Sequence, residues 1–112
     1  MERHDTLLIS SASAEHRAHL REVLGEGFNL LEAEHIPQTL LLLNQNIGCI
    51  AALVLDISQQ AETVHPILKQ QENTALLRRI PVIIISRDDD PATLNRAFGM
   101  GAADVIPIGY VG

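Results

Sequence analysis

The segment from Gly48 to Ser58 constrains the fold of this chain more than any other stretch. Seven apolar residues run without a break from Cys49 to Leu55, and the run ends at a single carboxylate, Asp56. A continuous apolar run rich in valine, isoleucine and leucine predicts a strand that is buried on both faces. Such strands belong to parallel sheets, and open α/β proteins bind ligands at the carboxyl ends of these strands. The segment therefore predicts a functional residue at Asp56.

Shorter apolar segments on both sides of this strand alternate with helical patterns. Ser13 is placed to cap a helix that begins at Ala14, and Pro37 suits the first position of the next helix. Further helices are predicted from Val64 and Pro91, and the five predicted strands are 6–10, 28–33, 49–55, 81–86 and 104–108. Strict alternation predicts a parallel sheet covered by helices on both faces. We therefore predict the α/β class, with a flavodoxin-like, doubly wound sheet of five parallel strands in the order 2-1-3-4-5.

Composition and charge argue against nucleic-acid and membrane partners. The 112 residues carry a formal net charge of −6, the eight lysines and arginines are scattered, and aromatic residues make up 3% of the chain. Phosphate backbones attract clustered basic side chains, and single strands stack on aromatic rings, so no direct contact with nucleic acid is expected. No apolar segment approaches membrane-spanning length, and the N-terminus does not read as a signal peptide. We expect one domain, located in the cytoplasm.

Several segments match a known family in their order and spacing. They are Leu8-Ile9 before the first loop, Arg17 in the first helix, and the segments 53–56, 80–86 and 99–106. Together they resemble the receiver domain of two-component response regulators, and the resemblance covers nearly the whole chain. It implies a regulatory domain rather than an enzyme, in signal transduction by phosphoryl transfer from a histidine kinase to an aspartate.

The resemblance implies a role for each position of the site. Asp56 corresponds to the phosphoacceptor, and Ser86 to the hydroxyl residue that binds the phosphoryl oxygens. The acidic pair that would hold Mg²⁺ falls at Ser11 and Ala12, and the lysine that would bind the phosphoryl group falls at Ile108.

The positions that should neutralise charge around Asp56 are all changed. Neither the pair at Ser11 and Ala12 nor the neighbouring register, Ser10 and Ser11, contains a carboxylate. Two anions brought together need a metal ion and a fixed cation, so the usual phosphoryl transfer would lose most of its stabilisation. We therefore predict a degenerate receiver, or pseudo-receiver, with no cofactor. The alternative is a functional phosphoacceptor that holds Mg²⁺ at Asp56 with unconventional ligands.

Structural interpretations compete with these functional ones. Asp56 is also suited to accepting backbone N–H bonds at the strand end. The acidic run 88–90 is more typical of a solvated helix start than of a metal cluster, and the histidines, His16 among them, show no metal-ligand spacing. Cys49 lies inside the predicted strand, where a buried thiol most often packs as a small apolar side chain. A third function is a small ligand such as a nucleotide or flavin in the same crevice, but the glycines do not form a phosphate loop.

Few residues follow the fifth predicted strand. Receiver domains carry a further helix there, whereas only 109–112 remain in this chain. We therefore expect residues 1–112 to be a receiver-like domain without its final helix, from the N-terminal part of a larger regulator with an output domain. An uncovered apolar flank would favour a homodimer. A histidine kinase is the other candidate partner that the resemblance implies.

Overall fold

Five parallel strands form the centre of the molecule. The computed structural model describes residues 5–57, 80–86, 95, 98, 99 and 102–107. Its elements are β1 (Thr6–Ser10), α1 (Ala14–Leu24), β2 (Asn29–Ala33), α2 (Ile36–Gln45), β3 (Ile50–Asp56), β4 (Val82–Ser86) and β5 (Asp104–Pro107). The strands are hydrogen-bonded in the order β2-β1-β3-β4-β5, and every pairing is parallel. The predicted class and strand order are therefore confirmed.

Capping side chains set the starts of both described helices. Ser13 Oγ accepts a hydrogen bond from the His16 backbone N–H at 3.1 Å, so α1 begins at Ala14 as predicted. In α2 the cap is His35, whose Nδ1 accepts from the Gln38 backbone N–H at 3.2 Å. Pro37 therefore lies at the second helical position rather than the first. Neither described helix is long and apolar enough to cross a membrane.

Alternate residues of the strands face two separate apolar cores. On the side covered by α2, Leu43 packs with strand residues that include Leu8 and Leu53. On the side covered by α1, Leu20 packs with residues that include Ile9 and Val54. Because both faces of the central strands are buried, the sequence of β3 must be continuously apolar instead of alternating. The core explains the sequence pattern from which the sheet was predicted.

The placement of Cys49 in the buried strand is wrong. Cys49 is exposed and lies in the turn that follows α2, and β3 begins one residue later at Ile50. Its backbone N–H donates to the Asn46 carbonyl at 2.9 Å, and its carbonyl accepts from the Thr6 N–H at 3.1 Å. The first of these bonds closes the turn, so the side chain stays outside the core. Asp56 becomes the last residue of the strand.

Other predicted features lie outside the described residues. They include the helix predicted from Val64, the start of the helix predicted from Pro91, the acidic run 88–90, and Ile108.

Candidate functional site

Three neighbouring strands bring polar residues to the carboxyl edge of the sheet. Ser10 of β1 is paired with Leu55 of β3, so Ser11 and Asp56 are the next residues on these two strands. Asp56 is in turn paired with Ile85 of β4, and Ser86 follows. The structure therefore places the predicted positions Ser11, Asp56 and Ser86 along one edge. Ser86 is almost fully buried there.

The carboxylate of Asp56 is nearly inaccessible and has two donors on one oxygen. Asp56 Oδ2 accepts from Ser11 Oγ at 2.7 Å and lies 2.8 Å from His16 Nδ1. The Asp56 side chain is only 2% exposed, whereas the His16 side chain is 26% exposed. An ionised carboxylate is an acceptor only, so Nδ1 must carry its proton, as it does in the imidazolium and in one neutral tautomer. Hydrogen bonds of this charge-assisted kind are among the stronger ones in proteins.

Every polar group of Ser11 has a partner, which fixes the direction of its hydroxyl. Its backbone N–H donates to the Ala33 carbonyl at 3.0 Å, which extends the contact between β1 and β2. Its Oγ accepts from the Ser13 N–H at 3.2 Å, and its carbonyl accepts from Arg17 Nη1 at 2.7 Å. The Ser11 hydroxyl hydrogen is then directed at Asp56.

Arg17 fixes the β1–α1 loop through one bond to a buried carbonyl. We expect Arg17→Ala to lower the free energy of unfolding by about 1.5 kcal/mol, because it leaves the Ser11 carbonyl without its charged donor. The Arg17 side chain is 12% exposed, and its contacts with Glu32 and Glu34 are long, at 3.8 and 3.5 Å. Urea unfolding at low and high salt measures the loss, which should persist at high salt.

Arg21 is the matched control for Arg17 on the same helix. Its guanidinium binds Glu32 through Nε at 2.9 Å and Nη2 at 3.0 Å. This hydrogen bond and the carboxylate charge raise the pKa of Arg21, which is charged in any case. Because the pair is exposed, Arg21→Ala should cause a smaller, salt-sensitive loss. Equal losses from both variants would contradict the role given to Arg17.

Ser10 faces the opposite side of the sheet from Ser11. Its Oγ lies 2.6 Å from Thr39 Oγ1, and Thr39 Oγ1 donates to the His35 carbonyl at 2.9 Å. A hydroxyl has one hydrogen, so Ser10 must be the donor in its bond with Thr39. Ser10 therefore connects β1 to α2, while Ala12 is exposed. The acidic pair was predicted at Ser11 and Ala12 or at Ser10 and Ser11. Of these residues, Ser11 is the one that contacts Asp56.

The prediction from sequence missed His16. It lies in the first turn of α1, and its partner Asp56 lies in a different strand, forty residues along the chain. No local spacing connects two residues so far apart. One signal was available: the start of the helix that follows β1 must lie near the carboxyl edge of the sheet, so side chains of its first turn can reach Asp56.

The described residues do not fit a Mg²⁺ site. Mg²⁺ needs near-octahedral oxygen ligands, usually carboxylates and water. Asp56 is a single carboxylate, and Oδ2 already faces the hydrogens of a hydroxyl and an imidazole. In the described parts of the chain, no three His, Cys, Asp or Glu side chains come together. These residues therefore do not supply Mg²⁺ with a set of oxygen ligands.

Comparison with known proteins gives matches in structure but not in sequence. No family model and no curated protein matches the chain. A putative response regulator from Chloroflexus aurantiacus superposes with a TM-score of 0.81 and 22% identity, covering 95% of this chain and 85% of that one. A response regulator from Thermotoga maritima gives a TM-score of 0.78 and 18% identity, over 96% of this chain and 85% of that one.

A complex also superposes well. The Borrelia burgdorferi CheX–CheY–BeF₃–Mg²⁺ structure matches with a TM-score of 0.77 and 20% identity, over 91% of this chain and 76% of the matched chain. The strand order, the two described helices and these superpositions show that the chain has the fold of response regulator receiver domains.

Proposed function

We propose that this chain is a receiver-like regulatory and interaction domain of two-component-type signal transduction, which works without Mg²⁺-dependent phosphorylation of Asp56. The receiver fold supports the signalling part of this proposal. The observation that carries the second part is the arrangement at Asp56 Oδ2, which binds Ser11, at a position where a metal-binding carboxylate is expected, and His16 of α1.

Electrostatics explains why this arrangement disfavours phosphorylation. Transfer of a phosphoryl group to a carboxylate brings two anions together and needs cations to neutralise them. Two hydrogen-bond donors withdraw electron density from Oδ2, and the carboxylate is nearly buried. The β1–α1 loop supplies a hydroxyl where a second carboxylate would be needed for a metal.

A protein partner is part of the proposal. The Borrelia CheY is seen in a complex with CheX, and by likeness of fold we propose that this chain also acts by binding another protein. Fold-level analogy supports the class of partner but does not identify it.

NMR spectroscopy of the isotope-labelled chain tests the proposal. We expect Mg²⁺ with beryllofluoride, and Mg²⁺ with a small acyl phosphate, to leave the amide signals around Asp56 and Ser86 unchanged. Intact mass after the acyl phosphate treatment should show no added phosphoryl group. A receiver domain with an intact acidic pair is the positive control for the reagents. Mg²⁺-dependent shifts centred on Asp56 and Ser86 would overturn the proposal in favour of a functional phosphoacceptor.

A further inference from the structure

We infer that His16 keeps divalent cations away from Asp56. The inference rests on the proposed function and deepens it, because it assigns the exclusion of metal to one residue of α1. Loss of carboxylates from the β1–α1 loop explains why a metal would bind weakly. The position of His16 adds a reason why the remaining carboxylate is not open to one.

The start of α1 holds the His16 ring against Asp56. The His16 backbone N–H donates to Ser13 Oγ, and the Ser13 N–H donates to Ser11 Oγ. The same Ser11 hydroxyl donates to Asp56, so a continuous series of bonds relates the position of His16 to the carboxylate. The ring contacts Asp56 from the more accessible side, since it is 26% exposed and the carboxylate is 2% exposed. The contact is thus built into the helix cap.

The contact competes directly with a metal ion. A cation at Oδ2 would face the Nδ1–H hydrogen of His16, and its charge would be repelled by the N–H dipole or by the imidazolium charge. Binding at that oxygen would require the 2.8 Å contact to break. Mg²⁺ also gives up its water reluctantly, so a single buried carboxylate cannot offset that cost. The imidazole is thus a partner that a metal ion would have to displace from Asp56 Oδ2.

A second carboxylate beside Asp56 makes this competition measurable. Ser11 Oγ lies 2.7 Å from Asp56 Oδ2, so Ser11→Asp places two carboxylates in one site. The His16 N–H can donate to either carboxylate of such a pair, whereas His16→Ala removes this donor and leaves more room and more negative charge for a cation from solution. Ser11→Asp combined with His16→Ala should therefore bind Mn²⁺ or Mg²⁺ about tenfold tighter than Ser11→Asp alone, the factor expected for one charge-assisted hydrogen bond.

Metal titrations of the full chain test the inference. Affinities come from Mg²⁺-dependent amide shifts and Mn²⁺-induced line broadening, and circular dichroism checks the fold of each variant. His19, exposed on the same helix, offers the matched control, and Ser11→Asp with His19→Ala should bind like Ser11→Asp alone. His16→Phe keeps a ring of similar shape but has no N–H donor. If the alanine variant does not fold, Ser11→Asp with His16→Phe should still bind metal more tightly than Ser11→Asp.

The outcomes separate this inference from the proposed function. Equal metal affinity with and without His16, in the Ser11→Asp background, would overturn the role of His16 and leave the proposed function standing. Mg²⁺ binding at Asp56 in the unaltered chain would overturn both. Tighter binding only when His16 is replaced, and not when His19 is replaced, is the result we expect.

Discussion

Replacing Asp56 by alanine should lower the free energy of unfolding by about 2–3 kcal/mol, because it leaves a buried hydroxyl and an imidazole N–H without their shared charged acceptor. Ser11 is almost fully buried, so water cannot readily take the place of the carboxylate. His16 is partly exposed and can regain some hydration, which limits the loss. Urea unfolding followed by circular dichroism measures the change.

The direction of this change distinguishes a paired carboxylate from an unpaired one. A buried carboxylate without partners is destabilising, and its removal would raise the free energy of unfolding. Asp56→Asn keeps an acceptor of the same size and should cost less than Asp56→Ala. A double-mutant cycle between Asp56→Ala and His16→Ala should give a coupling of about 1–2 kcal/mol. A stabilising Asp56→Ala, or additive losses in the cycle, would contradict the internal pair.

Leu53→Ala should cost about 3 kcal/mol of unfolding free energy, because it truncates a fully buried side chain in a central strand. Leu53 is 0% exposed and lies in β3 between Leu8 of β1 and Val82 of β4. The substitution removes buried methyl groups and leaves a cavity that the paired backbones of three strands cannot close. The same urea unfolding experiment measures this loss.

Leu41 is the matched control for Leu53. It is 56% exposed on α2, so Leu41→Ala should change the free energy of unfolding by no more than about 0.5 kcal/mol. Alanine also has a slightly better helix propensity than leucine, which offsets the small loss of apolar contact. If both variants lost the same free energy of unfolding, Leu53 would contribute no more than an exposed leucine, which would contradict the burial of β3 on both faces.

The expected effects at Asp56 and Leu53 describe a sheet with an apolar core and a hydrogen-bonded polar site at its carboxyl edge. Apolar residues on both faces of β1, β3 and β4 hold the carboxyl edge in place. At that edge the Asp56 carboxylate binds a hydroxyl and an imidazole. The apolar core therefore holds in place the strand ends and the helix start that supply this contact.

Features that depend on neighbouring residues in the chain could be predicted from the sequence. The apolar run before Asp56 required a strand buried on both faces, and alternation with helical patterns required parallel pairing. Ser13 marked the start of α1 because a cap needs only a side-chain oxygen and the next turn of backbone. Gly25 follows α1, where its backbone N–H donates to the Arg21 carbonyl at 2.9 Å and a Cβ would lie 2.5 Å from that oxygen. Each of these depends on residues a few positions apart.

The candidate site depended on contacts that no local pattern contains. Side-chain alternation at the end of β1 decided that Ser11 faces Asp56 and that Ser10 faces α2. The bond that closes the turn after α2 decided that Cys49 lies outside the core. The sequence by itself determined a parallel α/β sheet with Asp56 at its carboxyl edge. Only the tertiary structure decided that His16 is its partner, because that contact joins the first turn of a helix to the end of a strand forty residues away.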